Sequence, residues 1–280
     1  MVLYESAETL EPAINSLSLM GSDVSLAIHD NSSKPLPLDN VRELAARLRI
    51  PLRVERCGTN CGFARACNSL ARGSTAVWLL FLNPDAQLIT WPDRSSPEVD
   101  GIVGPLVFDT RQRVTVTWGR RRSIAEEFML RWTPLRPRLP KGIGYVSGCA
   151  LLVPRLTFVE LGGFDEHFFM YYEDIDLCLR ANRAGTRVAV DPEWKVRHEG
   201  AVSAGRDFGT ALIRSYESAA YFFSKHGQNA SLYRFLCRVD ARLRLAAFAL
   251  LPSRRRQLPA MRRLSEYLAV TPVARGSRES

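Results

Sequence analysis

The chain is expected to fold as an α/β protein whose central sheet is mostly parallel and flanked by helices. Two observations predict this. Apolar runs of strand length alternate with amphipathic helical stretches, and the strands stop abruptly at turn-forming residues, as at Asp30-Asn31-Ser32-Ser33 and Asn83-Pro84-Asp85. In such sheets ligands sit beyond the carboxyl ends of the strands, where Asp30 and Asp85 both fall.

In chain order, Val2-Leu3-Tyr4 reads as a short first strand. Ser6 suits the N-cap of a helix over about 7–20 that carries Leu10, Ile14 and Leu17 on one face. A second strand covers 24–29, a helix 41–48 and a third strand 52–54. Cys61-Gly62-Phe63 opens a helix to about Leu70, and the continuous apolar run 77–82 predicts a buried strand. Residues 105–144, rich in Arg and Pro, show weak periodicity and read as an insertion or acceptor-side segment. Strand character returns over 144–153, and Leu161-Gly162-Gly163-Phe164-Asp165 is a turn. A helix over 173–184 is stopped by Gly185 at its C′ position. A strand over 187–190 ends at the turn Asp191-Pro192, and helices follow over 213–226 and 232–251.

A length of 280 residues allows one large α/β domain or two small ones, and 46% hydrophobic with 24% charged residues is ordinary for a globular protein. The six cysteines contain no C-x-x-C pair and no paired histidines accompany them, so a structural zinc site is not expected and reduced thiols are. The acidic opening, with Glu5 and Glu8, does not resemble a secretory leader. The longest apolar run, 245–251, falls short of the ~20 residues of a spanning helix, so a cytoplasmic location is expected. Net charge is +9, and beyond Ser231 eleven arginines face only Asp240, Glu266 and Glu279. Such a tail suits nucleic acid, an anionic bilayer or plain solvent. No nucleic-acid module is recognisable, so no nucleic-acid partner is expected. No G-x-G-x-x-G follows the first strand, which disfavours a dinucleotide-dependent oxidoreductase.

Three blocks, Asp30-Asn31-Ser32-Ser33, Asn60-Cys61-Gly62-Phe63-Ala64 and Leu82-Asn83-Pro84-Asp85-Ala86, resemble the nucleotide-binding half of the family 2 glycosyltransferases. The later blocks are more specific. Ser147-Gly148-Cys149-Ala150 leads to Gly162-Gly163-Phe164-Asp165-Glu166 and then to Phe168-Phe169-Met170-Tyr171-Tyr172-Glu173-Asp174-Ile175-Asp176. In this order they closely resemble the branch containing bacterial rhamnosyltransferases, over about 2–227. The resemblance implies a GT-A fold and inverting transfer of a sugar from a dTDP- or UDP-linked donor, dTDP-rhamnose first, to a glycan, glycolipid or small-molecule hydroxyl.

By motif position, Asp30 would contact the nucleobase. Tyr4, Asn31, Asn60, Phe63, Asn83, Asp85 and Gly148 would complete the donor site. Asp85 would bind Mg2+ or Mn2+ from the last position of an Asp-x-Asp motif whose first position is Asn83 here. His198 matches a further metal ligand of some relatives, or is simply a strand-end histidine. Asp174 is the expected base, or only a first-turn carboxylate favoured by the helix dipole, and Glu173 and Asp176 compete with it for the role. Arg180 either pairs with these carboxylates along the helix or is solvated. The aromatic cluster at 168–172 reads as wall and core.

Relatives begin with a longer apolar strand, so the short start and Glu5 imply reduced stability and nucleotide affinity, and suggest a misassigned or truncated beginning. The expected partition is a catalytic domain over 1–227, with a nucleotide half 1–104 and an acceptor half 105–227, plus a basic helical extension over 228–280. Within the extension, Leu232, Phe235, Leu236, Val239 and Leu243 recur at helical spacing with Arg234, Arg238 and Arg242 on another face. That suits either a helix lying on anionic lipid, near a lipid-linked acceptor, or an ordinary packed amphipathic helix. A protein that binds nucleotide sugar or polysaccharide without catalysis is the alternative from another class.

Overall fold

The structure, a computed structural model, describes residues 1–5, 7–92, 101–120, 122–132, 142–200, 207–250 and 252–271. The first half contains β1 (Val2–Leu3), α1 (Leu10–Ser16), β2 (Leu26–Asp30), α2 (Asp39–Arg47), β3 (Leu52–Arg56), α3 (Phe63–Arg72), β4 (Trp78–Leu82) and β5 (Ala86–Thr90). The second contains β6 (Gly101–Phe108), β7 (Val114–Thr115), β8 (Trp118–Gly119), α4 (Ile124–Trp132), β9 (Tyr145–Val146), β10 (Ala150–Pro154), α5 (Arg155–Glu160), α6 (Glu173–Arg183) and β11 (Arg187–His198). Three helices end the chain: α7 (Phe208–Lys225), α8 (Ala230–Leu250) and α9 (Leu258–Val270).

The α/β class is as expected, and the pairing is mixed. Strands β1, β2 and β3 form a parallel sheet. A second sheet runs β4-β10-β6-β11-β5, in which β6 and β11 are parallel and the other pairs antiparallel. Alternation along β4 and β10 puts side chains on both faces of this sheet. Leu79, Phe81, Leu151 and Val153 pack with Ala64, Cys67, Leu177 and Ala181 of α3 and α6. Leu82, Ala150 and Leu152 face the other way, against Leu10, Ile14 and Leu17 from the first helical stretch and Val41 and Leu44 of α2. Strands covered on both sides must be apolar throughout, which is why 77–82 reads as continuous hydrophobic sequence.

Several local readings are corrected. The segment over 105–144 is not an irregular insertion throughout: β6 supplies a buried strand of the second sheet, with β7, β8 and α4 following. Periodicity failed here because β6 is buried along most of its length and contains Gly104 and Pro105. The strand expected to stop at Asp191-Pro192 continues to His198, its register shifting between Asp191 and Lys195 while it pairs with β5 and β6. The first helix is an α-helix only over Leu10–Ser16, flanked by 3-10 turns, and the expected Ser6 cap lies outside the described residues.

Strand β1 is as short as expected, and the amino group of Met1 donates to Ala27 O at 2.8 Å. A cavity of about 910 Å3 is lined by Met1, Leu26, Ala27, Trp78, Leu80 and Trp194 among others, and none of the sequence-derived site residues borders it.

Helices α8 and α9 share a buried cluster with α7 and the segment before α6: Tyr233, Cys237, Ala241, Met261 and Leu268 pack with Tyr216, Phe222, Phe223, Phe168 and Tyr172. Asp176 of α6 is fully buried at the centre of the polar link. It accepts from Arg180 Nε at 2.7 Å and pairs with Lys225 Nζ at 2.7 Å and His226 Nε2 at 2.9 Å. Arg180 is therefore not a solvated charge; its Nη1 and Nη2 also donate to Leu161 O and Gly163 O, fixing the turn before α6. Removing one member of a buried ionic cluster strands the others. Asp176→Ala is expected to cost roughly 3–5 kcal/mol in urea unfolding; a loss below about 1 kcal/mol would mean that this cluster does not hold α6 to α7.

Candidate active site

The two carboxylates on which the chemistry was expected to rest, Asp85 and Asp174, lie far apart in the sequence. Asp85 ends the turn between β4 and β5. His198 ends β11 and pairs with Ala86, while Glu199 N donates to Asp85 O at 3.2 Å. The side chains consequently meet: Asp85 Oδ1 lies 3.2 Å from His198 Nε2, and Asn83 Nδ2 lies 3.3 Å from the same nitrogen. Asp85 retains 10% side-chain exposure and His198 21%.

These residues fit a divalent cation. Two atoms bound cis on an octahedral ion with bonds of 2.0–2.1 Å are roughly 3 Å apart, close to the spacing found. A single ring nitrogen cannot both accept from Asn83 and donate to Asp85. With the Asn83 amide turned over, a carboxylate oxygen, an amide oxygen and an imidazole nitrogen would all present lone pairs to one point, a donor set that suits Mn2+ as well as Mg2+.

From this cluster the backbone leads directly to the second carboxylate. Asn83 N donates to Cys149 O at 2.9 Å, and Gly148, one residue earlier, donates its N–H to Asp174 Oδ2 at 2.6 Å. Asp174 Oδ1 accepts from Ile175 N at 2.7 Å, in the first turn of α6. A Cβ at Gly148 would stand 3.3 Å from Asp174 Cβ, so the close approach favours glycine. Asn83, Asp85, His198, Gly148 and Asp174 are thus one constellation at a single end of the second sheet.

A second group surrounds Gly62. Asn31 Nδ2 donates to Gly62 O at 3.1 Å, and Asn60 Oδ1 accepts from Gly62 N at 3.1 Å. Phe63 N donates to Phe169 O at 2.7 Å. Gly62 has φ +87°, and a Cβ there would meet Phe169 O at 2.7 Å, so both backbone angle and space demand glycine. Asp30 is buried, and its oxygens accept from Ser32 N at 2.9 Å and Leu36 N at 3.1 Å, holding the loop after β2. Glu5 joins the same loop, accepting from Ser33 N and Oγ, whereas Tyr4 stands exposed beside it. The Gly62 group is linked to the segment before Glu173 through Phe169.

The glycosyl transferase family 2 profile matches residues 1–156. The N-acetylglucosaminyl-diphospho-decaprenol L-rhamnosyltransferase of Mycobacterium tuberculosis is 31% identical over 259 residues, covering 80% of this chain and 82% of the relative. The chain belongs to glycosyl transferase family 2. The rhamnosyltransferase WbbL of Escherichia coli is 43% identical over a shorter stretch, 20% of this chain and 21% of its own. Among solved structures, the Pyrobaculum calidifontis mannosyltransferase PcManGT, in complex with GDP-Man and Mn2+, superposes with a TM-score of 0.54 at 15% identity, over 96% of this chain and 84% of that one. GalNAc-T7 with UDP, GalNAc and Mn2+ gives 0.52 at 14% identity, over 70% of this chain and 42% of that one. The protein is a glycosyltransferase with a GT-A fold, in the rhamnosyltransferase-like part of the family.

Sequence reasoning missed one part of this transferase's site. Arg122 donates from Nη1 to Tyr145 Oη at 3.2 Å and from Nη2 to Glu127 Oε2 at 2.5 Å, and lies 5.6 Å from the centre of the Tyr172 ring. Tyr172 Oη donates to the same Glu127 oxygen at 2.7 Å. The positive charge of Arg122 is close enough to favour the ionised form of Asp174. The sequence signal was present in the run Arg120-Arg121-Arg122, but nothing in it singled out one arginine. Tyr171 and Tyr172 both have φ 70°, an unfavourable angle for aromatic residues that the buried Tyr172 contacts hold in place.

Electrostatics separates the two rival carboxylates of the transferase. Burial, then the neighbouring charge of Asp174, pushes the Glu173 carboxyl well above its usual range, and its Oε2 is buried with no hydrogen-bond partner. Burial also holds the Asp174 carboxyl above its usual range, and its bonds from Gly148 and Ile175 and the charge of Arg122 offset that only in part. Where the pair carries a single negative charge, Asp174 holds it and Glu173 is the neutral member.

Glu173 is raised in the folded state, so its stabilising contribution is complete below the unfolded value of about 4.3 and fades as pH rises towards the folded value. Glu173→Gln removes that loss. The variant is expected to gain stability over wild type by up to about 1.4 kcal/mol per pH unit above pH 4.3, until the folded group ionises. Melting curves from pH 4 to 8 measure this; a gap that does not widen with pH would mean that Glu173 is ionised in the fold.

Proposed function

We propose that this glycosyltransferase catalyses inverting, metal-assisted transfer of L-rhamnose from a nucleotide diphosphate donor, dTDP-rhamnose first, to a hydroxyl of a polyprenyl-diphosphate-linked sugar. The observation that supports the mechanism is the backbone path Asn83–Cys149–Gly148, which links Asp174 to the strand end that carries Asn83 and the Asp85–His198 pair. The donor and acceptor follow the M. tuberculosis relative, whose name specifies rhamnosyl transfer to a lipid-diphosphate sugar.

In this reading the Gly62 group, with Asp30 and Tyr4, binds the nucleotide. Asp85, His198 and Asn83 hold Mg2+ or Mn2+, which when bound neutralises charge on the departing diphosphate. Asp174, ionised, accepts the proton of the acceptor hydroxyl as that oxygen bonds to the anomeric carbon and the sugar–phosphate bond breaks on the opposite side. Attack from the opposite side inverts the anomeric configuration. Gly148 N–H orients the base, and the Arg122 guanidinium opposes the effect of burial on it.

The outer face of α8 supports peripheral contact with anionic lipid, the expected source of such an acceptor. Leu232, Phe235, Val239, Leu243 and Leu250 are exposed large apolar side chains on this helix, while Tyr233, Cys237 and Ala241 face inward. The stripe thus points outward, with exposed Arg242 on α8 and exposed Arg255, Arg256, Arg262 and Arg263 following in sequence. No helix among the described residues is long and apolar enough to cross a membrane.

Asp174→Asn is expected to lower kcat by about 10²- to 10⁴-fold with donor affinity within about threefold of wild type; unimpaired turnover would remove Asp174 from the chemistry. Asp85→Ala should abolish the Mn2+-dependent part of the donor-induced thermal shift; a shift independent of Mn2+ in the wild type would exclude the metal from donor binding. Phe235→Glu with Leu243→Glu should release the protein from vesicles containing anionic lipid while leaving turnover on a detergent-dispersed acceptor intact; equal vesicle binding by the variant would exclude this face.

A further inference from the structure

The loop that carries Asn60 and Gly62 also contains two thiols of unlike exposure, Cys57 on the surface and Cys61 half-buried. Neither forms a disulfide. His29, on β2, projects toward them: one ligand atom from each of His29, Cys57 and Cys61 lies within 4.8 Å of the others. His29 is only 3% exposed, and its Nδ1 is buried without a hydrogen-bond partner, so the imidazole brings an unused donor or acceptor into the interior. Asn31 Oδ1 borders both sulfurs, 3.2 Å from Cys61 Sγ and 3.9 Å from Cys57 Sγ.

We propose that His29, Cys57 and Cys61 bind a thiophilic divalent cation of the zinc class. Two thiolates and an imidazole are a soft, nitrogen–sulfur donor set, unlike the oxygen-rich set at Asp85. Zinc–sulfur bonds of about 2.3 Å and zinc–nitrogen bonds of 2.0–2.1 Å in a tetrahedron put neighbouring ligand atoms roughly 3.5–3.8 Å apart. The side chains reach that spacing by drawing in slightly, and the exposed Cys57 has the room to do so. Each coordinating thiol gives its proton to water. The fourth position faces Asn31 and solvent, and takes water or the Asn31 amide oxygen.

The spacing Cys57-x3-Cys61 falls within the range of zinc-binding loops. Without the fold, nothing connected it with His29 on β2. Bound metal would fasten the loop over 57–62 to the end of β2 and hold Asn60 and Gly62 in position. That consequence for the donor rests on the nucleotide-binding reading of the loop; metal binding itself does not.

The test uses the reduced full chain, stripped of metal by chelation and titrated with Co2+ and then Zn2+. One equivalent of Co2+ should produce thiolate-to-cobalt charge-transfer absorption and the intense visible bands of tetrahedral cobalt, and one equivalent of Zn2+ should bleach both. Cys57→Ser and Cys61→Ser, each checked for native circular dichroism and melting, should lose the charge-transfer band and bind Zn2+ at least about tenfold more weakly. Asp85→Asn should keep the full cobalt spectrum, which separates this site from the proposed catalytic cation. Absence of thiolate–cobalt absorption in the wild type, or its persistence in both serine variants, would overturn the proposal, and neither result would bear on Asp174 or on transfer.

Discussion

The chemistry proposed for this protein depends on a hydrogen bond of 2.6 Å from Gly148 N to Asp174 Oδ2. Strand β10 fixes Gly148 by pairing with β4, and α6 supplies Asp174 from its first turn. The bond therefore joins the strand that borders Asp85 to the helix bearing the proposed base. It also sets the surroundings of two adjacent acids apart. Asp174 has two backbone N–H donors, whereas Glu173, one residue earlier and deeper, has a buried oxygen without any partner. Neighbouring carboxylates with such unequal surroundings are forced into unequal protonation.

Much of this was legible in the sequence, for reasons that can be named. Blocks such as Asn83-Pro84-Asp85 and Glu173-Asp174-Ile175-Asp176 are local, and their strand-end and helix-start settings follow from turn chemistry and hydrophobic pattern. Asp85 and His198 were each singled out, but only the pairing of Ala86 with His198 explains why they touch. Asp176 was a rival for the base until the fold surrounded it with Arg180 of its own helix and with Lys225 and His226 at the end of α7. Arg122 and β6 escaped notice because both lie in a stretch whose composition, rich in arginine and proline, hides a buried strand and one specifically placed guanidinium.

The basic extension beyond residue 227 shows the same limit. Its apolar heptad-like spacing was visible, yet the sequence could not say which face was covered. Two apolar sets run along α8, one led by Tyr233 and Cys237 and buried, the other led by Phe235 and Leu243 and exposed. Only packing against α7 and α9 distinguishes them.

The Asp176 cluster makes the tail and the catalytic helix mechanically one piece. Lys225 and His226 close α7 immediately before α8, and both grip an acid two residues after Asp174. A force or tilt imposed on the outer helix would thus arrive at the proposed proton acceptor through a lever three side chains long, not through a slack tether. Trimming the chain after residue 227 would spare every proposed catalytic side chain while removing the helices packed behind this lever.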